Sequence, residues 1–187
     1  MMTAREALEV LAAHRGKRVV VTTMSAAGVW PALSDTSLDF AYLPSSMGQG
    51  PSLALGLALA CPKPGVIVVN GDGCTLMNAG CLATLASNPA DIWLIIFDNG
   101  HYEVTGGQPT AGSGHTDFAA LARGAGIARV YTFPDRATWT AGAGEALGGI
   151  GPVVIWLQIE ARMGQATPAP PRPMAEQIAR LRQALGV

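Results

Sequence analysis

The stretches GVIVVN (residues 65–70) and IWLIIFD (Ile92–Asp98) are unbroken apolar runs rich in β-branched side chains. A strand wetted on one face alternates apolar with polar residues, so a run without polar interruption must be covered on both faces. RVVVTT (18–23), RVYTF (129–133) and PVVIWLQIE (152–160) read the same way, and DFAYLP (39–44) less clearly so. Helical patterns separate them. Residues 3–14 carry Ala7, Leu8, Leu11 and Ala12 at helical spacing, with Thr3 and Glu6 placed for a capping box. After the glycine-rich turn SSMGQG comes PSLALGLALA, with Pro51 suited to a first turn. That segment is apolar nearly all round and is expected to be buried on more than one side. LMNAGCLATLAS, DFAALARGAG (capped by Asp117, ending near Gly124 or Gly126) and RATWTAGAGEAL read as further helices. The proline-rich ATPAPPRP leads to a closing amphipathic helix with Ile178, Leu181 and Leu185 on one face. Strands alternating with helices predict a doubly wound α/β domain, residues 1–187, with a mainly parallel sheet of about six strands and helices on both faces.

Charge narrows the function. Only 13% of the 187 residues are charged, the mean hydropathy is +0.30 and the net charge is −1. So few charges predict that part of the surface is covered in an oligomer, and nothing here advertises nucleic acid or an anionic membrane. No apolar stretch is long enough to span a bilayer. Three unclustered cysteines, Cys61, Cys74 and Cys81, point to a reduced, cytoplasmic setting rather than a disulfide framework.

The chemistry is expected at GDG (71–73) and FDNG (97–100). Asp72 ends one predicted strand, and Asn99 ends the next, 27 positions later, with one helix between. Ligands of parallel sheets bind at the carboxyl ends of the strands. If the two strands are neighbours, both oxygens reach one rim about one strand spacing (~5 Å) apart. Two hard oxygens in so uncharged a setting suit Mg²⁺, which shares its shell with substrate phosphates and water. Glycine lets backbone approach closely, and the amides of Gly73 and Cys74, at a helix start, can hold a phosphate. Each motif alone is most often a turn. The order strand, GDG, helix, strand, Asn lifts the reading to a metal-bridged diphosphate.

On these residues the chain resembles the thiamine diphosphate-dependent enzymes, in the domain that binds the diphosphate end (PP domain). The resemblance implies Asp72, the Asn99 side chain and the His101 carbonyl as Mg²⁺ ligands. It implies Ser46, Met47, Gly48, Gly71, Gly73, Cys74, Asn99 and Tyr102 as cofactor-binding residues, Met47 being the wedge beneath the rings. Asp98 stands where relatives have Asn, and Cys74 where they have Ser. DNGHYEVTGGQPT looks very like the β subunit of sulfopyruvate decarboxylase and the matching half of phosphonopyruvate decarboxylase, and that similarity covers nearly the whole chain.

What the resemblance leaves out matters equally. In these enzymes the cofactor is activated by a glutamate on a different domain, the PYR domain. The six glutamates here are Glu6, Glu9, Glu103, Glu145, Glu160 and Glu176. The helical ones read as solvated, and Glu103, nearest the site, as a loop residue rather than the base. The expectation is half an active site, completed by a PYR-domain α subunit, with self-association possible in its absence. The pair would be a carboxy-lyase acting on a 2-oxo acid. His101 and Thr105 are candidates to meet the substrate. The loop 99–116 has no lysine or arginine, so a sulfonate or phosphonate would need a cation from elsewhere. The competing readings are a non-catalytic cofactor-binding or regulatory subunit and part of an acetolactate-synthase-like carboligase. A nicotinamide enzyme is disfavoured, because no G-x-G-x-x-G follows the first strand.

Overall fold

In Ile92–Asp98, Trp93, Ile95 and Phe97 join one apolar cluster, while Ile92, Leu94 and Ile96 join another. Successive side chains of a strand point to opposite faces. The run is unbroken because both faces are sealed: each of these six residues is 5% exposed or less. A computed structural model describes residues 1–44, 47–164 and 166–187. Its strands are β1 (Val19–Thr22), β2 (Asp39–Ala41), β3 (Val66–Gly71), β4 (Ile92–Asp98), β5 (His101–Tyr102), β6 (Gln108–Pro109), β7 (Arg129–Phe133) and β8 (Val153–Gln158). Six of them form a parallel sheet in the order β2-β1-β3-β4-β8-β7. β5 and β6 pair antiparallel in the loop after β4.

The helices are α1 (Ala4–His14), α2 (Met24–Val29), α3 (Gly50–Ala60), α4 (Asp72–Met77), α5 (Gly80–Ser87), α6 (Phe118–Gly124), α7 (Arg136–Ala146) and α8 (Met174–Leu185). α1, α2 and α7 pack on one face of the sheet, and α3, α5, α6 and α8 on the other. The capping box of α1 is formed by Thr3 and Glu6, and Asp117 caps α6. Among the described residues no helix is long and apolar enough to cross a membrane, and all three cysteines are free.

Three local expectations change. The helix after GDG is two short helices, because Asn78 leaves helical geometry (φ −141°, ψ 49°). Its side-chain amide donates to the Gly48 carbonyl at 3.0 Å, a tertiary bond rather than a local one. The apolar helix α3 is covered on one side only: Leu59 is 51% exposed, and Ser52, Gly56 and Ala60 also face out. On α8 the buried positions are Gln177 and Leu181, while Ile178 is 44% exposed. The Ala41 amide, on edge strand β2, needs an acceptor, and Gln177 Oε1 supplies it at 2.8 Å.

Strand order places the site. From β1 the chain passes through α2 to β2, and from β3 through α4 and α5 to β4, on the opposite side. The two connections diverge between β1 and β3, and such a switch point opens a crevice at the carboxyl ends of the strands.

Candidate functional site

One cleft occupies that crevice. Into it the fold brings Met47, Gly71, Asp72, Gly73, Cys74, Asn99, His101, Tyr102 and Thr105. Gly48 stands behind it, at φ +85°, where a Cβ would lie 2.9 Å from the Asn78 Cβ and 3.1 Å from the Cys74 carbonyl oxygen. The Asn78–Gly48 bond therefore ties the Met47–Gly48 turn to the end of α4. Ser46 lies outside the described residues.

β3 and β4 are adjacent, with Gly71 opposite Phe97, so Asp72 and Asn99 emerge on one rim. Asp72 is 3% exposed and accepts a hydrogen bond from the Thr110 hydroxyl at 2.8 Å. Burial, first, raises its carboxyl above the ordinary aspartate value. The Thr110 and Gly73 bonds pull it down, and the Asp98 charge pushes it up further. Asp98 is itself raised by burial, against the Trp156 indole N–H, which donates to it at 2.9 Å. Asp98 thus adds negative charge beside Asp72. Neither carboxylate has a Lys or Arg partner among the described residues.

This chemistry fits a hard cation. No three His, Cys, Asp or Glu side chains converge among the described residues. A cation at Asp72 must therefore take amide, carbonyl or ligand oxygens, the set Mg²⁺ favours. Asn99 Oδ1 accepts the His101 amide at 2.9 Å, which leaves its second lone pair free. The glycines fit a diphosphate. A Cβ on Gly73 would fall 2.2 Å from Tyr102 Cε1 and 2.9 Å from Thr110 Cγ2, whereas one on Gly71 would enter open space. Gly71 therefore leaves room for a ligand, and Gly73 lets Tyr102 close down. His101 Nδ1 lies 2.9 Å from the Asn99 carbonyl oxygen. Bonding an acceptor there requires the proton on Nδ1, so the neutral ring presents Nε2.

Several wall residues were not legible in the sequence. Thr23, Met24 and Ser25 enter after β1, Asn70 from β3 and Glu103 from the loop beyond β4. Asn70, 1% exposed, receives the Thr23 hydroxyl at 3.2 Å and donates to Thr75 Oγ1 at 3.0 Å, a network that backs the glycine turn. Glu103, in the loop after β4 as expected, is a buried wall residue that accepts from the Ser25 hydroxyl at 2.6 Å and from the Arg162 amide. For Thr23 and Asn70 the sequence signal was that TT and N adjoin predicted strand ends, and Glu103 was placed only as the glutamate nearest the site.

The family described as thiamine pyrophosphate enzyme, C-terminal TPP binding domain, matches residues 19–157. A phosphonopyruvate decarboxylase of Streptomyces hygroscopicus is 37% identical over 142 residues, 75% of this chain and 35% of its own. The sulfopyruvate decarboxylase subunit beta of Methanocaldococcus jannaschii is 42% identical over 92 residues, 49% of this chain and 48% of its own. These alignments span about a third to a half of the curated relatives' lengths. A crystal structure assigned as a thiamin diphosphate-dependent enzyme, isolated from Mycobacterium smegmatis, superposes with a TM-score of 0.70 at 23% identity, covering 86% of this chain and 32% of that one. At that identity the likeness establishes the fold.

Proposed function

Because this chain belongs to the family of thiamine pyrophosphate enzymes, as a C-terminal TPP-binding domain, we propose that it is the β-type subunit of a Mg²⁺-dependent 2-oxo acid decarboxylase. Its substrate resembles sulfopyruvate or phosphonopyruvate, its setting is the cytoplasm, and a PYR-domain α subunit completes it. The observation that carries this reading is the placement of Asp72 and Asn99 on adjacent strand ends, one uncompensated carboxylate and one amide, beside the open position at Gly71.

Asp72, the Asn99 side chain and the His101 carbonyl would hold Mg²⁺. The amides of Gly73 and Cys74 would take phosphate oxygens, because helix-start amides lack intrahelical acceptors. Met47 gives the cofactor's rings apolar support, and Tyr102 covers Gly73. When bound, thiamine diphosphate supplies a cationic ring that accepts the electrons released as a 2-oxo acid loses CO₂. His101 and Thr105 stand at the cleft wall, where the substrate would enter. Among the described residues the cleft is lined by no lysine or arginine, so the partner supplies any cation needed for a sulfonate or phosphonate. Glu103, the one glutamate lining the cleft among the described residues, is engaged by Ser25 and Arg162, and the activating glutamate is assigned to the partner.

Affinity purification of this chain from its native cells tests the reading. A stoichiometric PYR-type partner, with decarboxylation of sulfopyruvate, phosphonopyruvate or pyruvate by the pair, is the expected result. A chain that returns alone or self-associated, binding cofactor without activity, would favour a non-catalytic binding subunit.

A further inference from the structure

Strands β1 and β4 flank β3 on opposite sides. Ser25 lies just beyond β1 and Glu103 just beyond β4, yet the Ser25 hydroxyl donates to Glu103 Oε2 at 2.6 Å. The loop after β4 has therefore crossed the carboxyl end of β3, over the turn that carries Gly71 and Asp72. The second carboxylate oxygen of Glu103 accepts the backbone amide of Arg162, beyond β8. One buried side chain, 6% exposed, thus joins three separate segments. The same loop is held by Thr167 Oγ1, which donates to the Val104 carbonyl at 3.4 Å, and by Met163 against Gly107. Met24, immediately before Ser25, has φ +47°, a left-handed conformation that residues with side chains rarely adopt.

We infer that Glu103 is a positioning residue, pinning the loop that carries Asn99, His101 and Tyr102 across the end of β3. The inference rests on the cofactor reading above. The physical case is the cost of the carboxylate. A buried carboxyl group is expensive without hydrogen-bond donors, and an apolar side chain would fill the same space. Here both oxygens are used, each by a different element. Between Asn99 and Glu103 the chain is short. His101 donates its amide to Asn99 Oδ1, and the Tyr102 ring lies against Gly73. Fixing Glu103 therefore fixes the proposed metal ligands relative to the glycine turn.

The test uses the full chain with Glu103→Ala, Glu103→Gln and Ser25→Ala. Amide hydrogen exchange is followed at Tyr102–Gly107 with the β4 amides as reference. Thiamine diphosphate affinity is measured by calorimetry at saturating Mg²⁺. Glu103→Ala should speed loop exchange about tenfold, with β4 unchanged, and weaken cofactor binding about tenfold, the loss of one or two hydrogen bonds. Ser25→Ala should move both readouts the same way by less. Glu103→Gln should restore most of both, since an amide can still engage the Ser25 hydroxyl and the Arg162 amide. If Glu103→Ala fails to fold, the Ser25→Ala comparison decides. Unchanged loop exchange overturns the pinning. Faster exchange with unchanged cofactor affinity overturns the positioning role and leaves a purely structural bond. A wild-type chain that takes up no thiamine diphosphate with Mg²⁺, either alone or with its PYR-type partner, overturns the cofactor reading, and the positioning role falls with it.

Discussion

Asp39 on β2 and Asp72, the first residue of α4 just beyond β3, are both shielded carboxylates, and the chain treats them in opposite ways. Asp39, at the start of β2, accepts from Arg15, from the Trp30 indole at 2.9 Å, from the Ser34 hydroxyl at 2.6 Å and from the Thr36 amide at 2.7 Å. Its charge is neutralised and its lone pairs are used within the chain. Asp72 has one side-chain donor, Thr110, no cationic partner among the described residues, and a second acid nearby. A carboxylate that serves the fold is surrounded by donors. Asp72 keeps its accepting capacity open and bears the cost of burial, as the proposed ligand role requires.

Substitutions can break this contrast. The largest effect is expected for Asp39→Ala, which strands Arg15, a residue 6% exposed. Removing one partner of a buried pair costs about 3–5 kcal/mol, read as a fall in unfolding free energy in denaturant. A loss below about 1 kcal/mol would place the pair with weak surface bridges. Asp72→Ala should show the reverse. Mg²⁺-dependent thiamine diphosphate affinity should fall at least about 100-fold, roughly 2.7 kcal/mol, with no large loss of stability. Calorimetry showing retained tight binding would remove Asp72 from the proposed metal site, and marked unfolding would class it with Asp39.

The two kinds of glycine sharpen the same point at smaller scale. Gly73→Ala drives a Cβ to 2.2 Å from Tyr102, an overpacking expected to cost about 1–3 kcal/mol together with cofactor affinity. Gly144→Ala, in α7 with no atom within 4 Å of the added Cβ, should instead stabilise by about 0.5–1 kcal/mol. Thermal unfolding and calorimetry separate them.

Acid titration gives a signed test. Burial, and then the charge of Asp98, hold the Asp72 carboxyl above its ordinary value of 3.8. The folded chain therefore keeps this proton after the unfolded chain has lost it. The stability contributed is fully present below pH 3.8 and is lost as pH rises through the folded value. The unfolding free energy of metal-free Asp72→Asn should gain on wild type as pH rises through that window, and Mg²⁺ should narrow the gap. Parallel curves would contradict the cost assigned to Asp72. The smallest effect concerns thiols. Burial pushes Cys81 up to about 11 and Cys74 is also raised by burial, so half-buried Cys61 should react first with a thiol reagent in the native chain, and all three should react on unfolding.

Much of this was legible locally. The strand ends at Gly71 and Asp98, the capping box at Thr3 and the Asp72–Asn99 pair follow from runs, caps and spacing, which are short-range physics. Ile178 was misread because amphipathic periodicity cannot register that an edge strand needs an acceptor, which Gln177 provides. At the helix break the Asn78 side chain bonds Gly48, a residue distant in sequence. The burial of Glu103 could not be read locally, because its donors, Ser25 and Arg162, lie far from it along the chain.

The amino-acid order determined which segments become strands, that the sheet is parallel and covered on both faces, and that an acid and an amide end two successive strands. Those are consequences of side-chain pattern, which acts over a few residues. Strand order was left to the folded chain. Only once β1 lies beside β3, opposite β4, does a switch-point crevice exist between them, and only then can Ser25 meet Glu103 across it. Such contacts pair distant segments, and their energy becomes available only after the whole sheet has closed the loops between them.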